Sequence, residues 1–217
     1  MKKLLMLVVV ALALLLALYG RDLLDLYRLM RYIEQSTEAY EAEGGPWPQL
    51  ADACIVCHGY KGSSQHQGYP SLAGQPAAYT AAQLRRFASG DRADPTMGPL
   101  AMTLSDAEIA QLADHFARQP PQENRHFSAD AALLARGRQQ IASGGCTACH
   151  GETLMGRDEY PRLAGQGHDY LLAQLDAFAS GVRNDPTGFM NRMAAAATPE
   201  DRKAMASHLA KLAPSAH

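Results

Sequence analysis

The chain has 217 residues, of which 47% are hydrophobic and 7% aromatic, and a formal net charge of -2, so nothing in its totals points to nucleic acid as a partner. That length has room for a membrane segment and two small domains of about 80 to 90 residues each, marginal for a core built of side chains alone.

Lys2 and Lys3 precede an uninterrupted apolar run from Leu4 to Tyr19, the charged and apolar parts of an export signal. Cleavage after Gly20 would put Leu18 at the minus-three position, and the one Ala-x-Ala of the N-terminal 42 residues, Ala11-Leu12-Ala13, lies inside the apolar run. An uncleaved, single-pass anchor is therefore expected. Its apolar run reaches only about 24 Å at 1.5 Å per residue, and snorkelling Lys2 and Lys3 together with Leu23 and Leu24 supply the rest. With the lysines held inside, the remaining chain is placed on the outer face of the inner membrane, in the periplasm. Leu23, Leu26, Met30, Ile33 and Tyr40 recur at steps of three and four, with Thr37 in the one polar slot, and continue the anchor as an amphipathic helix. That stripe needs a cover, either the chain's own next domain or another membrane subunit. Glu43, Gly44, Gly45 and Pro46 end the helix, so residues 1–42 read as anchor and neck.

Cys54-Ile55-Val56-Cys57-His58 follows, and Cys146-Thr147-Ala148-Cys149-His150 repeats it, using every cysteine in the chain. Two thiols spaced by two residues can add to the two vinyl groups of one porphyrin, and the histidine next in line can take an axial position on its iron. A zinc site or a dithiol redox centre would also use Cys-x-x-Cys. Neither calls for a histidine directly after both pairs, followed by Gly59 and Gly151, in a chain without βαβ patterning. The expected cofactor is haem c, twice, with Cys54, Cys57, Cys146 and Cys149 as the covalent attachment points.

Beyond the motifs the chain repeats itself. From Tyr69 to Thr96 and from Tyr160 to Thr187 roughly two thirds of positions are identical without a gap, the mark of a duplicated domain. Tyr79, Leu84 and Phe87, and again Tyr170, Leu175 and Phe178, have helical spacing and end at a glycine. Ser105 and Glu108 form a capping box ahead of Ile109, Leu112 and Phe116; Thr198 and Pro199 open the counterpart that carries Met205, Leu209 and Leu212. Leu133, Leu134 and Ile141 outline a helix that Gly144 and Gly145 stop just before the second motif. No strand pattern appears, so the fold is expected to be all-α, with domains at 43–119 and 129–217 joined by a Pro-containing linker at 120–128.

An electron carrier needs the second axial position filled, usually by methionine sulfur. Met97 and Met190 each lie eight residues before the capping residues Ser105 and Thr198 and are the expected ligands, with Met102 and Met193 as alternatives. Met155 and Met205 read as core filler. His66, His115, His126, His168, His208 and His217 have no matching positions in the two halves and read as surface or structural.

From Cys54 to Leu212 the sequence resembles the dihaem cytochrome c4 family, in its paired Cys-x-x-Cys-His-Gly motifs, Pro-x-Leu-Ala-Gly-Gln segments, Tyr-x-x-x-Gln-Leu helices and methionine loops. The resemblance implies two class I cytochrome c domains related by a pseudo-twofold, with haems facing across the interface. It also implies that the carbonyls of Pro70 and Pro161 accept the Nδ1 protons of His58 and His150. Two departures stand out: the anchor, and Pro46-Trp47-Pro48-Gln49-Leu50 where the first domain would have a glycine-containing opening helix. The function implied is single-electron transfer from a quinol-oxidising complex to a terminal oxidase of cbb3 or related haem-copper type, with no catalysis and no small-molecule substrate. The alternative is the electron-accepting subunit of a periplasmic dehydrogenase, such as a sulfide-oxidising flavocytochrome. A dihaem enzyme of the peroxidase or thiosulfate-oxidising kind would instead need one open, His or Cys sixth position.

Overall fold

A computed structural model describes residues 2–42 and 49–215, with backbone alone at 3–4, 7–14, 17, 36 and 38–42. Among the described residues the regular secondary structure is helical apart from one isolated bridge between Arg157 and Tyr160, and the chain divides into two units, 1–49 and 50–217. The predicted break at Glu43 to Pro46, Trp47 and Pro48, and His217, lie outside the described residues.

The first unit is one helix, α1 (Lys2–Ala42). Ion pairs one turn apart, Arg28 with Asp25 and Arg31 with Glu34, both at 3.2 Å, run along its exposed surface. The predicted stripe residues Leu23, Leu26, Met30 and Ile33 are each more than half exposed, and the Tyr40 side chain lies outside the described residues. Most side chains of the expected anchor, Leu4 to Tyr19, likewise lie outside them. Among the described residues no helix is long and apolar enough to cross a membrane.

The second unit holds both halves. In the first, a 3₁₀ turn (Leu50–Cys54) leads into α2 (Ile55–His58), followed by α3 (Ala77–Ser89), α4 (Met97–Met102) and α5 (Asp106–Ala117). The second half has α6 (Ala131–Ser143), α7 (Thr147–His150), α8 (His168–Ala179), α9 (Phe189–Ala196) and α10 (Pro199–Lys211). Helix starts follow local chemistry. Ser105 and Glu108 close a reciprocal capping box on α5, and the Thr198 hydroxyl accepts from the Asp201 N–H with Pro199 in the first turn of α10.

The halves differ at their openings. In the second, α6 lies across α10, and Gly137 makes this possible: a Cβ there would stand 2.0 Å from the Ala204 carbonyl oxygen. Ile141, Leu171, Leu175 and Leu209 fill the core beneath. In the first half, the residues described ahead of Cys54 form the 3₁₀ turn, whose Leu50 and Ala51 pack with Leu112 and Phe116 of α5.

Between the halves the contacts are reciprocal, as a local twofold requires. Gln75 exchanges two hydrogen bonds with the backbone of Arg162, at 3.0 and 2.9 Å. Its counterpart Gln166 does the same with Ser71, at 2.7 and 2.8 Å. Farther along, Arg92 donates to Gln83, Gln174 and the Tyr170 hydroxyl, and Arg183 to Gln174, Gln83 and the Tyr79 hydroxyl. Each guanidinium also sits over a phenyl ring of its own half, Phe87 or Phe178, at 4.5 Å. The linker is pinned to this interface: Asn124 pairs with Gln67 through two amide bonds and donates to the Gln166 carbonyl.

Candidate functional site

Each motif forms a single helical turn. Residues three apart on a helix lie on one face, so α2 and the residue before it present Cys54 and Cys57 together, and α7 does the same for Cys146 and Cys149. All four thiols are free and half-buried, and burial pushes Cys54 and Cys146 above the usual thiol range. The turn ends at Gly59, whose φ of 77° and close approach to the Ser63 carbonyl, 2.1 Å from where a Cβ would stand, admit no side chain.

His58 and His150 close these turns and are buried. Burial disfavours the imidazolium and lowers both pKa values, partly offset by a hydrogen bond to a backbone carbonyl. Those bonds fix the tautomer: His58 Nδ1 donates to the Pro70 carbonyl at 2.8 Å, and His150 Nδ1 to that of Pro161 at 2.9 Å. Burial favours the neutral ring, and the Nδ1–H bond leaves the Nε2 lone pair for a metal.

Met97 is the first residue of α4 and Met190 the second of α9, both half-buried, with Met190 packed on the core of its half. Met102 is 71% exposed at the far end of α4. Met193 is half-buried one turn after Met190, with its methyl group near Gly144. Aspartates that the sequence reading passed over hold the two methionine backbones. Asp94 Oδ1 accepts from the N–H groups of Thr96 and Met97, at 2.9 and 2.7 Å. Asp185 accepts from Thr187 and, at 2.5 Å, from Met190. The spacing stretches from three residues to five because the second loop carries Gly188 and Phe189, with Gly188 at a φ of 64°. The signal was present in the repeated Asp-Pro-Thr, Asp94 to Thr96 and Asp185 to Thr187, since Asp closes such turns on its own backbone.

Of the histidines set aside, His168 is buried, stacked on Phe127 with ring centroids 4.4 Å apart and bonded to Asp169. Met155 is buried in the second core, while Met205 packs at its edge. Among the described residues no group of three or more His, Cys, Asp or Glu could hold a metal ion, so a Cys/His zinc knuckle is not built here. The donor set fits haem c instead. In each half two unpaired thiols share one helical face, a neutral imidazole with a free Nε2 follows them, and a backbone-fixed methionine stands on a separate helix.

The cytochrome c family model matches residues 48–118 and 134–213. The thiosulfate dehydrogenase electron acceptor of Stutzerimonas stutzeri (strain A1501) is 37% identical over 180 residues, 78% of this chain and 83% of its own. Cytochrome c4 of Thiocapsa roseopersicina is 33% identical over 178 residues, 75% of this chain and 91% of its own. Among solved structures, reduced cytochrome c4 from Pseudomonas stutzeri superposes with a TM-score of 0.69 at 28% identity, covering 81% of this chain and 98% of that one. Thiosulfate dehydrogenase from Marichromatium purpuratum aligns with a TM-score of 0.66 at 32% identity, over 73% of this chain and 36% of that longer one.

Proposed function

Since the chain belongs to the cytochrome c family and, within it, to the dihaem c4 type, we propose that it takes single electrons from a dehydrogenase acting on a reduced sulfur compound, thiosulfate in the first instance. Two covalently bound haem c groups supply reversible one-electron chemistry. Cys54, Cys57, Cys146 and Cys149 would anchor them, His58 and His150 would offer Nε2 to the iron, and Met97 and Met190 would supply methionine sulfur. Pro70 and Pro161 orient the imidazoles. Both histidines are buried, and an iron held by His and Met would leave no site for substrate. The observation that carries the choice of donor is the pair of relatives named as thiosulfate dehydrogenase electron acceptors, 37% and 36% identical over most of their length. An oxidation that releases electrons in pairs is matched by a protein with two one-electron sites.

The same reading places the haem domains in the periplasm, tethered by the apolar run that follows Lys2 and Lys3, with reoxidation by a terminal haem-copper oxidase. A tether would raise the effective concentration of the carrier at a membrane partner. Anaerobic rapid mixing tests the donor. A thiosulfate dehydrogenase supplied with thiosulfate is expected to reduce both haems within its own turnover time. Reduction by a quinol-oxidising complex alone, with none from the dehydrogenase, would overturn the assignment.

A further inference from the structure

Each axial-histidine carbonyl belongs to a peptide group whose other end is held by the opposite half of the molecule. The peptide joining Pro70 to Ser71 accepts from His58 Nδ1 through its carbonyl, at 2.8 Å, and donates through its N–H to Gln166 Oε1, at 2.8 Å. The peptide joining Pro161 to Arg162 accepts from His150 Nδ1 at 2.9 Å and donates to Gln75 Oε1 at 2.9 Å. Both glutamines are buried, and each returns its amide N–H to the carbonyl of the same residue, Ser71 or Arg162, so neither can turn away.

A peptide group is polarisable. When its N–H donates to a good acceptor, electron density moves toward its carbonyl oxygen, which then accepts more strongly. A stronger acceptor at Nδ1–H gives the imidazole more anionic character and makes Nε2 a better donor to the metal, which favours the more oxidised iron. We infer that Gln166 tunes the electron affinity of the site built on His58, and Gln75 that of the site built on His150, each through one peptide group across the interface. Both are positioning residues, and the inference rests on the iron-ligand roles proposed above for the two histidines. Its consequence is crossed control: each half sets the other's affinity, and any partner that shifts the interface shifts both sites.

The test uses the full holoprotein with ¹⁵N-labelled histidine, reading the two axial Nδ1–H resonances in the reduced state and the potential of each haem. Gln166→Leu is expected to move the His58 resonance upfield and raise the potential of that haem, with the His150 site unchanged. Gln75→Leu is expected to do the reverse. Gln166→Glu keeps the side-chain volume; protonated at this buried position it still donates to the Ser71 carbonyl but offers the Ser71 N–H a poorer acceptor than the amide, so it should move the His58 resonance upfield by less than leucine does, and it also reads out if the leucine variant fails to fold. A shift confined to the substituted half, an equal shift at both haems as simple loosening would give, or no shift at all overturns the inference. Absence of haem-shifted Nδ1–H signals from His58 and His150 in the parent protein would instead take down the ligand assignment itself, before any variant is made.

Discussion

Methionine sulfur is a weak ligand, so the backbone that carries it has to supply the placement the bond itself does not. Met97 and Met190 are held by carboxylates at their own N–H groups, Asp94 and Asp185, while Met102 points away from the fold. Met97→Ala or Met190→Ala should each abolish half of the far-red charge-transfer band of the ferric protein and lower one haem potential, and an unchanged low-spin spectrum would refute the ligand pair. Asp185 adds a pH dependence. Burial alone would raise its pKa, but hydrogen bonds from Thr187, Met190 and Gly188 outweigh it and hold the carboxyl below the usual range. A depressed folded-state pKa contributes stability that is complete above the unfolded value, about 3.9, and is lost as pH falls through the folded one. An acid titration should therefore keep the Met190 half of the band to below about pH 4 and then lose it; Asp185→Ala should remove that step.

At the scale of helices, stability rests on a few caps and one close crossing. Ser105→Ala removes the hydroxyl that accepts from the Glu108 N–H and leaves only the backbone-donated half of the α5 capping box; it should cost about 1 kcal/mol in thermal or denaturant unfolding. Gly137→Ala drives a methyl group into the Ala204 carbonyl and should cost at least about 1–3 kcal/mol, with an unchanged melting temperature refuting the α6–α10 crossing. These helices were legible in the sequence because their signals are local: Ser105 with Glu108, Thr198 with Pro199, and the stop at Gly144. The cysteine–histidine turns were legible for the same reason, and Pro70 and Pro161 through the family resemblance. Gln75, Gln166, Asp94 and Asp185 were passed over although they sit inside the repeated segments. A polar side chain in a repeat looks the same on a surface as in a buried hydrogen bond, and only the opposite half, some 90 residues away, supplies the partners of the two glutamines. The opening of the first half differs from that of the second: the residues described ahead of Cys54 form a 3₁₀ turn, where the second half opens with α6.

For the whole molecule, the consequence is that two equivalent sites share one buried polar interface without being identical. Arg162 is 1% exposed and donates to the carbonyls of Ser71, Ala73 and Ala164, whereas its counterpart in the first half is the uncharged Ser71. Burial lowers its pKa to about 10, which still leaves it charged at neutral pH. A cation buried on one side of a twofold makes the two irons electrostatically unequal, so electrons should occupy them in a fixed order. The proposed function requires two closed, one-electron His/Met sites. A spectroelectrochemical titration of the purified holoprotein tests it most directly. Two one-electron waves at separate potentials are expected, with both ferric haems low-spin and both contributing to the methionine charge-transfer band. A single haem, or one high-spin haem that binds cyanide readily, would contradict it.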